Sequence, residues 1–159
     1  MGPAVSEKQQ QRICGYLEKG SAQGAQTLLA GGKAEVEGYP NGFYVQPALL
    51  TGEPDNVCCV EEIFGPVAYL MKFKDEGQAV ELVNRSSYGL ANSVWSSDLE
   101  RANRVAEAMV AGNSWINAHN IFPPGVPYAG VNLSGFGGGV LGRETYFDYL
   151  RPQSIVRPV

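Results

Sequence analysis

Residues 67–117 read VAYLMKFKDEGQAVELVNRSSYGLANSVWSSDLERANRVAEAMVAGNSWIN, and the alternation of apolar runs with capped helical stretches in this segment decides the fold. Val67–Phe73 reads as a strand. Asp75 with Gln78 three positions on is a capping box, in which a carboxylate accepts a first-turn N–H and the third residue reaches back. The helix it opens spans 75–85, with Ala79, Val80, Leu82 and Val83 as its buried side. After the Tyr88-Gly89 turn, Leu90–Trp95 is a second strand. Asp98–Ala111 is a second helix with Leu99, Ala102, Ala106, Met109 and Val110 on one face and Gly112 as terminator, and Ser114–Asn117 is a third strand. Strand, helix, strand, helix, strand with short connections is the pattern of parallel βαβ units, so the expected class is α/β.

Upstream, Ser6 and Gln9 form another capping box for a helix over 7–19, with Ile13, Tyr16 and Leu17 as its apolar stripe and Gly20 as its end. Extended runs Thr27–Ala30 and Phe43–Pro47 flank a turn-rich stretch over 31–42. Downstream, regularity stops at Asn117. Residues 118–142 hold three prolines and seven glycines, and so long an irregular stretch in a compact domain is usually functional or disordered. Glu144–Leu150 reads as a short helix and Ser154–Val159 as a final strand.

At 159 residues, one domain is expected, and a chain this long buries about two-thirds of its unfolded surface without staples. Twelve basic against 16 acidic residues leave a net charge of −4 with no Lys/Arg stripe, which argues against nucleic acid as a partner. No apolar run approaches the roughly 18 residues of a spanning helix, and the first 20 residues are polar where a signal peptide is apolar. A cytoplasmic protein away from membranes is expected. Three cysteines, Cys14, Cys58 and Cys59, form no disulfide framework and point to a reducing compartment.

Several signals invite chemistry. Residues 137–142, GGGVLG, match the dinucleotide pattern G-x-G-x-x-G, but the motif needs a buried strand before it and a βαβ unit of about 30 residues after it, and neither is present. A surface loop is the better reading. Cys58 and Cys59 raise the possibility of a thiolate nucleophile, yet the only histidine is His119 and nothing in sequence brings it near, so buried inert thiols are favoured. No His, Cys or acidic pair stands at metal-ligand spacing, and no metal site is expected. Glu61-Glu62-Ile63-Phe64-Gly65-Pro66-Val67 delivers a carboxylate and a ring to a strand's entry. An ionised acid accepts two hydrogen bonds, as ribose hydroxyls require, and a ring packs on a flat base. A turn with solvated acids is the equal alternative.

Glu61–Val67 resembles the E-E-x-F-G-P-V motif of the NAD(P)-dependent aldehyde dehydrogenase superfamily. Other stretches agree in order: Tyr88-Gly89-Leu90-Ala91 with Asp98-Leu99 and Ala102; Ala111-Gly112 with Trp115-Ile116-Asn117; Pro127-Tyr128-Ala129-Gly130 with Ser134-Gly135; and the opening Gly2-Pro3-Ala4-Val5-Ser6. The resemblance covers nearly the whole chain but only the last third or so of a typical member. It implies a single partial catalytic domain over 1–159, built of parallel βαβ units, with 154–159 entering an intersubunit sheet of a homo-oligomer. In that family a cysteine thiolate attacks an aldehyde, hydride passes from the thiohemiacetal to the nicotinamide, and an activated water releases the acid. The family's nucleophile, base and Rossmann half all lie upstream of this segment. The resemblance therefore assigns no catalytic residue here, and Cys58 and Cys59 sit in the wrong place.

What the resemblance does imply is that Glu62 bonds the nicotinamide ribose of NAD or NADP, that Phe64 positions the nicotinamide, and that Asn120, Phe122 and Tyr128 wall the aldehyde tunnel. The family's P-F-G-G-x-K loop has Tyr128, Ala129 and Asn132 where it carries phenylalanine, glycine and lysine, and its G-R-E is displaced to Gly142-Arg143-Glu144 by a glycine run. Two expectations follow: a C-terminal dehydrogenase segment that is inactive alone, or a stand-alone, non-enzymatic interaction module derived from the same fold.

Overall fold

The computed structural model describes residues 1–158, and the chain packs as two compact units, Met1–Phe73 and Lys74–Val159. In the first, helix α1 spans Glu7–Ala22. Ser6 is extended and its Oγ accepts the Gln9 N–H at 3.2 Å, as the capping box requires. The Gln9 amide does not reach back; it donates instead to the carbonyls of Ile63 and Phe64. Gly20 does not end the helix, which continues to Ala22 and closes at Gln23. Gly20 is buried, its carbonyl accepts the Asn56 amide at 2.9 Å, and a Cβ there would run into the Cys58 sulfur, so this glycine serves a close approach.

Strands β1 (Gln26–Leu29), β2 (Gly32–Ala34), β3 (Tyr44–Gln46) and β4 (Ala48–Thr51) follow, then the single-turn helix α2 (Val57–Val60) and strand β5 (Val67–Leu70). β2 and β3 pair antiparallel, and a second sheet runs β1-β4-β5 with β1–β4 antiparallel and β4–β5 parallel. Parallel neighbours need a crossover of a dozen or more residues, and α2 lies within it. Asn56 caps α2 by accepting the Cys58 N–H at 3.0 Å. The core here is Ile13, Val45, Leu50, Cys58 and Ile63, with Tyr16, Leu17, Val67 and Tyr69 packed around it. The apolar stripe of α1 is thus buried against both sheets' strands and α2.

In the second unit, α3 (Glu76–Asn84), β6 (Ala91–Val94), α4 (Leu99–Ala108) and β7 (Asn113–Ile116) come in the expected order. Asp75 and Asp98 are N-caps, accepting the N–H groups of Gln78 and Arg101. β6 and β7 are parallel, with Ala91 opposite Asn113 and Val94 opposite Ile116, so β6-α4-β7 is a βαβ unit. Ala102 and Val105 are the buried side of α4. The α/β class with parallel strand pairs is as expected, but β5 joins β4 rather than β6, and the three sequential strands do not form one ladder. A short helix α5 (Glu144–Asp148) closes the second unit.

The strand expected over 154–159 is not formed at 154–158, and Val159 lies outside the described residues. A strand exists through its ladder partner, and this segment has none among the described residues: Ile155 and Val156 are nearly fully exposed. Among the described residues, no helix is long and apolar enough to cross a membrane.

Candidate functional site

The Glu61–Pro66 segment leaves α2 and turns into β5, and α1 holds it by its backbone. The Arg12 guanidinium donates to the carbonyls of Glu62 at 2.7 Å and Ile63 at 3.0 Å. The Gln9 amide donates to Ile63 at 3.2 Å and Phe64 at 2.8 Å. Ile63 is buried beneath, while the Glu62 side chain and the Phe64 ring stand free, Phe64 at 77% exposure. Phe64 adopts φ +55°, a left-handed conformation rare for a bulky residue. Gly65 follows because a Cβ there would lie 2.6 Å from Ile13 atoms. The main chain is thus fixed while a carboxylate and a ring stand outward. A hollow of about 460 Å³ beside Phe64 and Pro66 is lined by Ala4, Gln9, Ile13 and Val45.

Gln9 and Arg12 were not recognisable as site residues, since Gln9 reads as a cap partner. The two stand at i and i+3 on one helical face, continued by Tyr16, over whose ring the Arg12 guanidinium lies at 5.1 Å, but that spacing by itself names no partner.

In the second unit, three separated motifs meet at Gly89. Its carbonyl accepts the N–H groups of Gly112 at 2.9 Å and Val131 at 3.0 Å, and its N–H donates to Ser134 Oγ at 2.9 Å. Asn117, at φ +51°, locks the end of β7 with its side chain bonded to both the N–H and the carbonyl of Ser96. From there the loop brings Phe122 and Tyr128 together, edge to face at 4.9 Å between ring centres, with Trp115 at 5.7 Å from Phe122 and 6.3 Å from Tyr128. Trp115 Nε1 donates to the Ile121 carbonyl at 2.8 Å, which fixes the loop that carries Phe122. Asn120 is exposed at φ +55°, a conformation asparagine tolerates, and among the described residues no hydrogen bond or ring contact ties it to the cluster. Trp115 belongs to the cluster and was read only as a strand residue.

The remaining candidates lack chemistry of their own. Cys58 is buried, its thiol donates to the Tyr16 carbonyl at 3.0 Å, and burial pushes its pKa up, which disfavours the thiolate. The Cys59 thiol contacts Met71 Sδ at 3.9 Å. His119 Nδ1 pairs with Ser93 Oγ at 2.8 Å and its ring meets Trp115 edge-on. The glycine run is preceded by a 3₁₀ turn over Asn132–Ser134, not a strand, so it has no dinucleotide-binding context. Among the described residues no group of three metal-ligating side chains converges.

The family model described as "Aldehyde dehydrogenase family" matches residues 1–155. A betaine aldehyde dehydrogenase of Brucella anthropi is 38% identical over 138 residues, covering 86% of this chain, and one of Rhizobium etli is 43% identical over the same length. This chain spans 28% of the length of those relatives. Among solved structures, betaine aldehyde dehydrogenase of Staphylococcus aureus in complex with NAD+ superposes with a TM-score of 0.87 at 34% identity, over 94% of this chain and 30% of that one. An aldehyde dehydrogenase of Bacillus cereus, a mutant form, gives 0.86 at 38% identity with the same coverage.

Proposed function

Because the chain belongs to the aldehyde dehydrogenase family, we propose that it is the C-terminal segment of a cytoplasmic NAD(P)-dependent enzyme that oxidises an aldehyde to a carboxylic acid. The observation that carries this reading is the backbone clamp of Gln9 and Arg12 on residues 62–64, which leaves the Glu62 carboxylate and Phe64 ring free for a ligand. Those two groups suit a nicotinamide ribose and its flat ring. When bound, the nicotinamide supplies the hydride acceptor. Glu62 accepts hydrogen bonds from the ribose hydroxyls, and Phe64 limits the tilt of the ring. Such positioning matters because a misplacement of about 1 Å costs on the order of a hundredfold in rate.

On the aldehyde side, Phe122 and Tyr128 form an aromatic wall with Asn120 at its edge. Aromatic faces accept apolar chains and also quaternary ammonium groups, which agrees with the betaine aldehyde named for the relatives. The nucleophile and base come from outside this segment, as the buried, hydrogen-bonded Cys58 thiol supports. Residues 154–159 supply the edge that a partner subunit's sheet completes in a homo-oligomer.

The test is the natural gene product, detected with an antibody to this segment. A species several times 17.1 kDa that oxidises betaine aldehyde with NAD or NADP is expected, with kcat reduced by Glu62→Gln and Phe64→Ala. The 159-residue chain alone is expected to form no NADH. Formation of NADH by that chain at a rate abolished by Cys58→Ser or Cys59→Ser would overturn the reading.

A further inference from the structure

The glycine run is tied on both sides. Val140 forms an antiparallel bridge with Tyr128, the Tyr128 N–H donating to Val140 at 2.8 Å and the Val140 N–H returning to Tyr128 at 3.0 Å. The Gly125 N–H adds a third bond to the Leu141 carbonyl at 3.1 Å. On the other side, the Gly138 N–H donates to Asp148 Oδ2 at 2.6 Å and Thr145 Oγ1 donates to the Gly139 carbonyl at 2.9 Å, which anchors the run to α5. Gly139 sits at φ +71°, and a Cβ there would run into the Tyr128 carbonyl oxygen and lie 2.7 Å from Ala129 atoms.

We propose that residues 137–142 are a brace that fixes the main chain behind the Tyr128 ring, with Gly139 as its positioning residue, and so shape the aldehyde-side wall. Tyr128 is held from one flank by this bridge. From the other, Asn113 Nδ2 donates to the neighbouring Ala129 carbonyl at 3.0 Å. Its ring then has Phe122 at 4.9 Å and Trp115 at 6.3 Å as neighbours, so a shift of the 127–129 backbone changes the spacing of all three rings. Apolar pockets discriminate by small differences in fit. The inference rests on the placement of Tyr128 beside the aldehyde proposed above, and it makes the glycine run a specificity element in place of a nucleotide loop.

The variants are Gly139→Ala, which forces the brace off Tyr128, and Thr145→Val, which loses only the bond to Gly139 and introduces no clash. Gly38→Ala, at another left-handed glycine with open space around it, controls for backbone strain alone. In the 159-residue chain, hydrogen exchange at the Tyr128 and Val140 amides is expected to quicken by about tenfold or more in Gly139→Ala, less in Thr145→Val, with β6 and β7 unchanged and Trp115 fluorescence altered. In the natural gene product, KM for the aldehyde is expected to change severalfold while KM for NAD does not.

Quickened exchange throughout residues 74–158, or none at Tyr128 in either variant, would overturn the brace. Local exchange at Tyr128 with the order of preference among aldehydes unchanged would overturn its role in specificity. A gene product that oxidises no aldehyde would instead sink the proposed function and the specificity role with it, while the exchange and fluorescence signals would still decide the brace.

Discussion

Phe64 at φ +55° is held in a conformation that costs about 1–2 kcal/mol for an L-residue, and the Gln9 bond to its carbonyl is what opposes relaxation. Arg12 acts on the same loop one residue earlier. Arg12→Ala is therefore expected to cost about 1 kcal/mol in stability and to quicken amide exchange over 61–66 without disturbing α1 beyond its first turns, measurable by mass-resolved exchange. The Cys58 thiol gives a second residue-scale expectation. Burial raises its pKa, so at neutral pH it stays protonated, and limited iodoacetamide should modify the half-buried Cys14 and Cys59 before Cys58, as peptide mass mapping would show. Residue types alone made Cys58 legible as inert and Glu62 with Phe64 as candidates. They did not reveal Gln9, because one side chain can serve either its own helix cap or a loop 54 residues away, and only the fold decides.

At the scale of elements, the caps were the most legible signals, because a cap acts through three or four neighbouring residues. Asp75 and Ser6 accept the expected N–H groups, and Asp98, read as the first residue of its helix, caps it by accepting the Arg101 N–H. Pairings across long separations were not legible: the β4–β5 parallel pair depends on a four-residue helix whose Val-Cys-Cys-Val sequence has no period to read. The same locality governs acid sensitivity in the second unit. Arg104 bonds both oxygens of Glu76 at 2.7 and 2.8 Å and lowers its pKa, and the Arg101 N–H at the α4 cap lowers that of Asp98. Carboxylates depressed on folding stabilise above their unfolded values, about 3.9 for Asp and 4.3 for Glu, and lose that contribution as pH falls through the folded values. Stability of the α3–α4 pair should fall on acidification below about pH 4. Glu76→Gln should flatten the pH dependence, and added salt should weaken it because neither carboxylate is buried. Circular dichroism melts across pH would check both; an unchanged acid limb in Glu76→Gln would remove the ion pair from the account.

At the scale of the whole molecule, exposed area is the quantity that decides between a self-sufficient module and a part of something larger. Many large apolar side chains stand exposed: Leu28 and Leu29 on β1, Leu70 at the end of β5 and Phe73 after it, and Phe136, Tyr149, Ile155 and Val156 toward the C-terminal end all exceed half exposure. Relatives of which this chain spans 28% have a further mass of protein available to cover such faces. In isolation the 159-residue chain is therefore expected to bind a hydrophobic dye and to self-associate with rising concentration. Sedimentation velocity over a hundredfold concentration range, with dye fluorescence on the same samples, tests this. A monomer at all concentrations that leaves the dye dark and melts cooperatively would mean that the chain closes its own surface. The unpaired segment after α5 narrows the comparison further: if 154–158 adds to a sheet of a second copy, Ile155→Lys should reduce the association, because a charge at an exposed strand edge opposes pairing.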